Sequence, residues 1–319
     1  MSQESRLVHI VDEVPELDGV DDLTMVVVLT GFLDAGQAAD QTAQYLQDGS
    51  DGPIVATFDV DVLYDYRARR PAMTFVRDHY DEYDAPRLSV RLVRDTGETP
   101  YLLLRGPEPD TRWEGFAAAV RGIVERFGVR RVVSLGAVPM AVPHTRPIAI
   151  TPHANRPELL VTSSPWQSEL RIPSSAQALL ELRLGEWGHD ALGFVAHIPH
   201  YLAQMDYPVA SLALLEHLEL GGHLTIDLTL MREAAETCEV EIARYLDTNT
   251  EVGEVVAALE QQYDAFRRSE ESGSSLLAQD QPMPTGEEIG QQFEQFLAGL
   301  DRDGPKDGPR DGLGDGLSD

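Results

Sequence analysis

Five short segments of the chain gather residue types that can bind or move charge, and each follows an apolar run. The first is Gly31-Phe32-Leu33-Asp34-Ala35-Gly36. Its glycines permit a tight turn, and Asp34 is placed to cap the helix that follows. Such a turn also exposes backbone N–H groups able to hold an anion. The Asp34 carboxylate occupies the position such an anion would take, so capping is the favoured reading. Neither G-x-x-x-x-G-K-[ST] nor G-x-G-x-x-G occurs, so no nucleotide loop is supported.

The second segment is Asp65-Tyr66-Arg67-Ala68-Arg69-Arg70-Pro71. Arginine can grip a carboxylate or phosphate with two parallel hydrogen bonds. The same residues can instead form ion pairs that fasten a loop or a subunit interface, and both readings stand. The third is Leu104-Arg105-Gly106-Pro107-Glu108-Pro109-Asp110, where prolines on both sides of Glu108 fix its backbone. The fourth, Gly136 to Pro147, brings His144 and Arg146 to the end of an apolar run. The fifth, His197-Ile198-Pro199-His200-Tyr201, does the same for His200.

These histidines suit acid–base work near neutral pH. Their spacing argues against a metal: in a strand, His197 and His200 point to opposite faces, and no H-E-x-x-H occurs. A nucleophile is also missing, because Ser134 lies inside a strand pattern and no G-x-S-x-G occurs. The expected site is a binding cleft at the carboxyl ends of the strands. Its candidates are Gly31, Asp34, Gly36, Asp65, Arg67, Arg70, Glu108, His144, Arg146 and His200, with no catalytic residue, metal or cofactor assigned.

The elements that must position these residues read as alternating strands and helices. Apolar runs at Met25–Thr30 and Ile54–Phe58 flank a helical stretch at Ala35–Leu46, the rhythm of a parallel sheet covered on both faces. Further strands are predicted at Arg87–Val93, Tyr101–Leu104, Val132–Leu135, Ile148–Ile150, Leu159–Thr162 and Phe194–Ile198. Helices are predicted at Trp113–Phe127 with Gly128 as its stop, at Ser174–Trp187 with Ser174 as cap, and at Val209–Leu220. Asp227–Leu246 and Glu251–Phe266 read as a helical hairpin. The fold class is α/β, as a single domain over residues 1–267 with the hairpin at 227–266. Ser269–Ser275 reads as a linker. Residues 268–319 read as an acidic flexible tail with a short amphipathic helix at 287–300.

Composition narrows the chemistry. The 319 residues carry a formal charge of −29, and 42 % are hydrophobic, enough for a sizeable core. The tail, with 12 acidic and 4 basic residues from Arg268 onward, holds −8 of that charge and the body holds −21. So negative a surface repels phosphate backbones and anionic lipid, so neither nucleic acid nor membrane is an expected partner. Lys306 is the single lysine and lies in the tail. The body therefore has no lysine for a Schiff base or a phosphate clamp. Cys238 is the single cysteine, which excludes an intrachain disulfide, and its helical setting reads as core. Without a signal pattern or an apolar run of membrane length, the expected compartment is the cytoplasm.

Five ordered stretches together carry a family resemblance: GFLDAG at Gly31–Gly36, DYRARRP at Asp65–Pro71, LLLRGPEPDTRW at Leu102–Trp113, GAVPMAVPHTRP at Gly136–Pro147 and GFVAHIPHYLAQMDYP at Gly193–Pro208. The chain resembles the proteasome assembly chaperone family of the second-chaperone type, most of all its long actinobacterial branch, over about residues 8–265. The resemblance implies a three-layer α/β/α fold of phosphorylase/hydrolase-like shape, and homo-oligomers, with a trimer favoured by fold analogy. It also implies a protein partner such as proteasome subunits. Some family members end in a hydrophobic-Tyr-any tripeptide that docks on the proteasome. This chain ends Leu317-Ser318-Asp319, which argues against tail-mediated docking. An ATP-grasp-like reading is disfavoured by the absence of lysine from the body. The leading expectation is therefore a non-enzymatic assembly-chaperone-like or scaffold protein. The alternative is a small-molecule-binding protein or phosphorylase/hydrolase-like enzyme using the strand-end cleft.

Overall fold

The computed structural model describes residues 7–31, 33–48, 51–162 and 169–271. Among them the chain forms β1 (Val8–Ile10), β2 (Leu23–Thr30), α1 (Ala38–Asp48), β3 (Ile54–Phe58), α2 (Val60–Leu63), β4 (Met73–Val76), β5 (His79–Tyr83), β6 (Ser89–Arg94) and β7 (Pro100–Pro107). It continues through α3 (Trp113–Phe127), β8 (Val129–Met140), β9 (Ile150–Ala154), α4 (Ala176–Glu186), β10 (Asp190–Pro199), α5 (Pro208–Gly222), α6 (Thr229–Thr248) and α7 (Thr250–Glu271).

The alternation of side chains along β2 explains the layering. Met25 and Val27 face one core with α3 and α4, where Phe116, Val120, Ile123 and Leu180 are buried. Val26 and Val28 face a second core with α1 and α5, where Ala39, Ala43, Leu214 and Leu218 are buried. Successive residues of a strand point to opposite faces, so an unbroken apolar run demands cover on both sides. Each fully buried Val, Leu or Phe contributes roughly 1.5–3 kcal/mol relative to exposure.

The sheet has eight strands in the order β1-β3-β6-β7-β2-β8-β10-β9. Its four central strands, β7, β2, β8 and β10, are mutually parallel. The flanking strands pair antiparallel, so the sheet is mixed. This is an α/β fold with a large central sheet flanked by helices. Helix α3 begins at Trp113 and ends at Gly128, whose left-handed φ of 68° lets its N–H reach the Val124 carbonyl.

Several expectations need correction. The cap of α4 is Ser175, whose hydroxyl accepts from the Ala178 N–H, and not Ser174. No strand forms at 159–162: Pro157–Leu159 is a short 3-10 turn, and the edge position beside β10 is already taken by β9. The two-stranded hairpin of β4 and β5 had no counterpart in the sequence reading. Helix α7 continues to Glu271, into the stretch read as a linker.

The chain divides into two compact units, 1–263 and 264–319. Within the second, the described residues are the end of α7, where Arg268 Nε donates to the Asp264 carbonyl at 3.0 Å. The helix predicted at 287–300 lies outside the described residues. Among those described, no helix is long and apolar enough to cross a membrane.

Candidate functional site

The carboxyl ends of the parallel strands carry the predicted residues in three groups. The first forms where β2 and β7 end. The Glu108 N–H donates to the Thr30 carbonyl at 2.7 Å, holding the two strand ends together. The Glu108 carboxylate accepts from the Ala176 N–H in the first turn of α4. A carboxylate there complements the positive end of the helix dipole. Burial still raises its pKa, against the pull of the Ala176 N–H and the nearby Arg69.

Arg69 completes this group, although nothing in its sequence setting distinguishes it from Arg67 and Arg70. Its Nη2 donates to the Glu108 carbonyl at 2.6 Å and to Asp110 Oδ2 at 2.7 Å, and its guanidinium lies 4.5 Å from the centre of the Tyr64 ring. A Cβ at Gly31 would lie 2.7 Å from Arg69 Nη1, so glycine there leaves room for the guanidinium. The signal lies in the turn: the Arg69 N–H bonds the Asp65 carbonyl, which places Arg69 one helical turn after Asp65. Asp65 accepts from the Arg67 N–H and donates its own N–H to Asp110. Arg67 and Arg70 are exposed, and their guanidinium groups have no hydrogen-bond or ion-pair partner among the described residues.

The second group holds the start of α1. Asp34 accepts from the N–H groups of Ala39 and Asp40, both at 2.9 Å. Burial raises its pKa, opposed by these two bonds. The helix start is thus occupied by the chain's own carboxylate. Gly36 has φ 66°, donates to the Ala203 carbonyl at 2.8 Å, and accepts from the Tyr207 N–H at 2.9 Å. A Cβ there would come within 2.8 Å of Tyr207 Cβ. Its role is a close backbone approach.

The third group joins β8, β10 and α7. The His144 N–H donates to Tyr201 Oη at 2.9 Å, and the same hydroxyl lies 2.7 Å from His144 Nδ1. Burial lowers the pKa of His144, although Glu260 and Glu239 oppose the shift. Arg146 Nη1 pairs with Glu260 Oε1 of α7 at 3.2 Å, and the Thr145 hydroxyl donates to the same carboxylate. His200 is exposed and meets the Tyr201 ring edge-on at 5.4 Å. His197 is buried, with Nε2 2.7 Å from the Thr151 hydroxyl.

A further polar knot has no motif behind it. Glu181 of α4 accepts from the Ser134 hydroxyl at 3.1 Å and pairs with His153 Nε2 at 3.0 Å. Burial opposes the charge on His153, but Glu181 and the Thr151 backbone together outweigh it and the pKa rises. The three residues are far apart in sequence, and only the β8–β10–β9 pairing brings them together. A cleft of about 890 Å³ lies elsewhere, where β7 starts and α1 ends. Its walls include Tyr45, Asp48, Asp95, Tyr101 and Asp227, and none of the ten predicted residues.

The body is an α/β fold whose large central sheet is flanked by helices. Residues 28–246 match the PAC2 family, and the chain belongs to that family. Among solved structures, it is similar to the Mycobacterium tuberculosis protein of unknown function Rv2714, at 46 % identity and TM-score 0.80, covering 84 % of this chain and 92 % of that one. It is also similar to a PAC2 family protein from Streptomyces avermitilis, at 31 % identity and TM-score 0.65, covering 74 % of this chain and all of that one. The Mycobacterium tuberculosis proteasome-assembly chaperone homologue Rv2125 aligns at 26 % identity and TM-score 0.68, over 73 % of this chain and all of that one. No curated protein matches the chain significantly.

Proposed function

We propose that the protein is a non-enzymatic assembly factor or scaffold that works in the cytoplasm through contacts with other proteins. The observation that carries this reading is the internal bonding of four of its conspicuous polar residues, Asp34, Glu108, His144 and Arg146. Glu108 is bonded to α4, Asp34 to α1, His144 to Tyr201 and Arg146 to Glu260. Each of these bonds occupies a charge or lone pair that a bound ligand would otherwise take. Similarity to a proteasome-assembly chaperone homologue supports the same reading and makes proteasome subunits the first partner to test. Self-association, with a trimer as the first expectation, belongs to the proposal.

A thermal-shift screen with nucleosides, inorganic phosphate and sugar phosphates at millimolar concentration tests the non-enzymatic half. A ligand that binds only the native state raises the melting temperature. The expected result is no shift. A reproducible, saturable rise with any of these ligands would contradict the proposal.

A further inference from the structure

The cleft of about 890 Å³ lies where β6 ends, β7 begins and α1 ends. Its volume falls within the roughly 300–1,000 Å³ of small-molecule sites. Its floor is apolar, with Leu46, Leu92 and Met231 buried there. Its walls carry six carboxylates, those of Glu16, Asp48, Asp51, Asp95, Glu98 and Asp227, against one guanidinium, that of Arg94. Arg94 is engaged, since its Nη1 donates to the Glu98 carbonyl at 2.9 Å.

One nearly buried hydroxyl opens into this space. Tyr101 is only 2 % exposed and lines the cleft, yet its hydroxyl has no hydrogen-bond partner among the described residues. The polar side-chain atoms sealed from solvent without a partner among those residues are Arg69 Nε and His189 Nε2. The Tyr101 hydroxyl is not one of them, so it reaches the open cleft. Burial and the nearby Asp95 raise its pKa, so it keeps its proton and presents a neutral oxygen. A hydroxyl so deeply placed is costly to leave unpaired.

The carboxylates divide by role. Asp95 is consumed by the fold: it accepts the N–H groups of Gly97, Thr99 and Thr225. Asp227 accepts the Thr229 N–H, and Asp48 accepts from the Gln44 side chain. Glu16, Asp51 and Glu98 are exposed, and their carboxylates have no partner among the described residues. An anion is repelled here, and a neutral apolar ligand leaves these charges unmatched. A point cation does not fit either, because among the described residues no group of three His, Cys, Asp or Glu side chains could hold a metal ion. The match is positive charge spaced along an aliphatic stem.

We infer that the cleft binds a linear aliphatic polyamine. Its methylene stem lies on Leu46, Leu92 and Met231, its ammonium groups meet Glu16, Asp51 and Glu98, and one ammonium donates to Tyr101 Oη. The negative end of α1, which closes at Asp48, adds to the attraction. The cleft shares no residue with the strand-end groups, so this binding stands whether or not the protein acts through protein partners.

The test is isothermal titration calorimetry of the full chain with spermidine, with circular dichroism confirming the fold of each variant. The expected result is one saturable site per chain with a dissociation constant below about 1 mM. Tyr101→Phe should weaken binding about three- to tenfold, the loss of one hydrogen bond. Glu16→Gln with Asp51→Asn and Glu98→Gln should weaken it about tenfold or more. Ala234→Trp should do the same, because it fills the cleft from α6 without changing charge. Glu236→Gln with Glu241→Gln and Glu254→Gln removes as many exposed charges outside the cleft and should leave binding unchanged. Absence of saturable binding would overturn the inference. So would equal weakening by the two triple variants, the mark of diffuse attraction to an acidic surface. Hexalysine binding more than about tenfold tighter than spermidine, and weakened by Ala234→Trp, would also overturn it by giving the cleft to a protein segment.

Discussion

Glu108 sits at the N-terminus of α4, its carboxylate accepting the Ala176 N–H while its own N–H is tied to Thr30. One residue thereby fastens the ends of β2 and β7 to a helix 68 positions further along the chain. Truncation removes both a cap and a favourable helix-dipole contact. Glu108→Ala is expected to destabilise the protein by about 1–2 kcal/mol in urea unfolding, with Glu108→Gln retaining part of the loss-free bonding. An unchanged midpoint for Glu108→Ala would show that the contact contributes nothing.

The three arginines of 67–70 divide by role. Arg69→Ala loses two hydrogen bonds and its stacking on Tyr64, and should cost roughly 1–2 kcal/mol of stability. Arg67→Ala and Arg70→Ala remove exposed side chains with no partner among the described residues and should stay within about 0.5 kcal/mol of wild type. Denaturant melts of the three variants check the ranking. Equal losses would contradict it.

Gly36 is a steric requirement. Its φ of 66° disfavours any Cβ, and the nearest atom to that Cβ belongs to Tyr207 close to the backbone. Gly36→Ala should cost roughly 1–3 kcal/mol and loosen the 203–207 turn. Hydrogen exchange at the Gly36 and Tyr207 amides reads the second effect directly.

His153 gives a pH signature with a defined sign. Burial disfavours its charge, but Glu181 and the Thr151 backbone together raise its folded pKa, so the folded state binds the proton more tightly than the unfolded one. The resulting stabilisation is fully present below the unfolded value of about 6.5 and is lost as pH rises through the folded pKa. The melting-temperature difference between wild type and His153→Gln should therefore shrink from acidic to alkaline pH. A difference that grew with pH would reverse the assignment.

The two-sided apolar run of β2 and the Trp113–Gly128 helix were legible because periodicity and a glycine stop are local signals. The outer strands differed because their antiparallel pairing depends on neighbours distant in sequence. The β4–β5 hairpin was missed because its aromatic residues are exposed, and the polar residues between them break any buried pattern. At the candidate site, Asp34 was readable as a cap because its partners lie five and six residues away. Arg69 was hidden among three arginines, and Glu181 acquires its role only from strands 47 and 28 residues distant in sequence.

Binding to other proteins, as proposed for this PAC2-family chain, leaves a trace in the cell. Tagged full-length protein, expressed at its native level in its own cells and recovered under mild conditions, tests it most directly. Quantitative mass spectrometry then gives the stoichiometry of whatever accompanies it. The expected result is a partner at near-equimolar ratio, with proteasome subunits the first expectation, and retention of that partner after Asp34→Asn and His200→Ala. Recovery of the protein with no stoichiometric partner would contradict it.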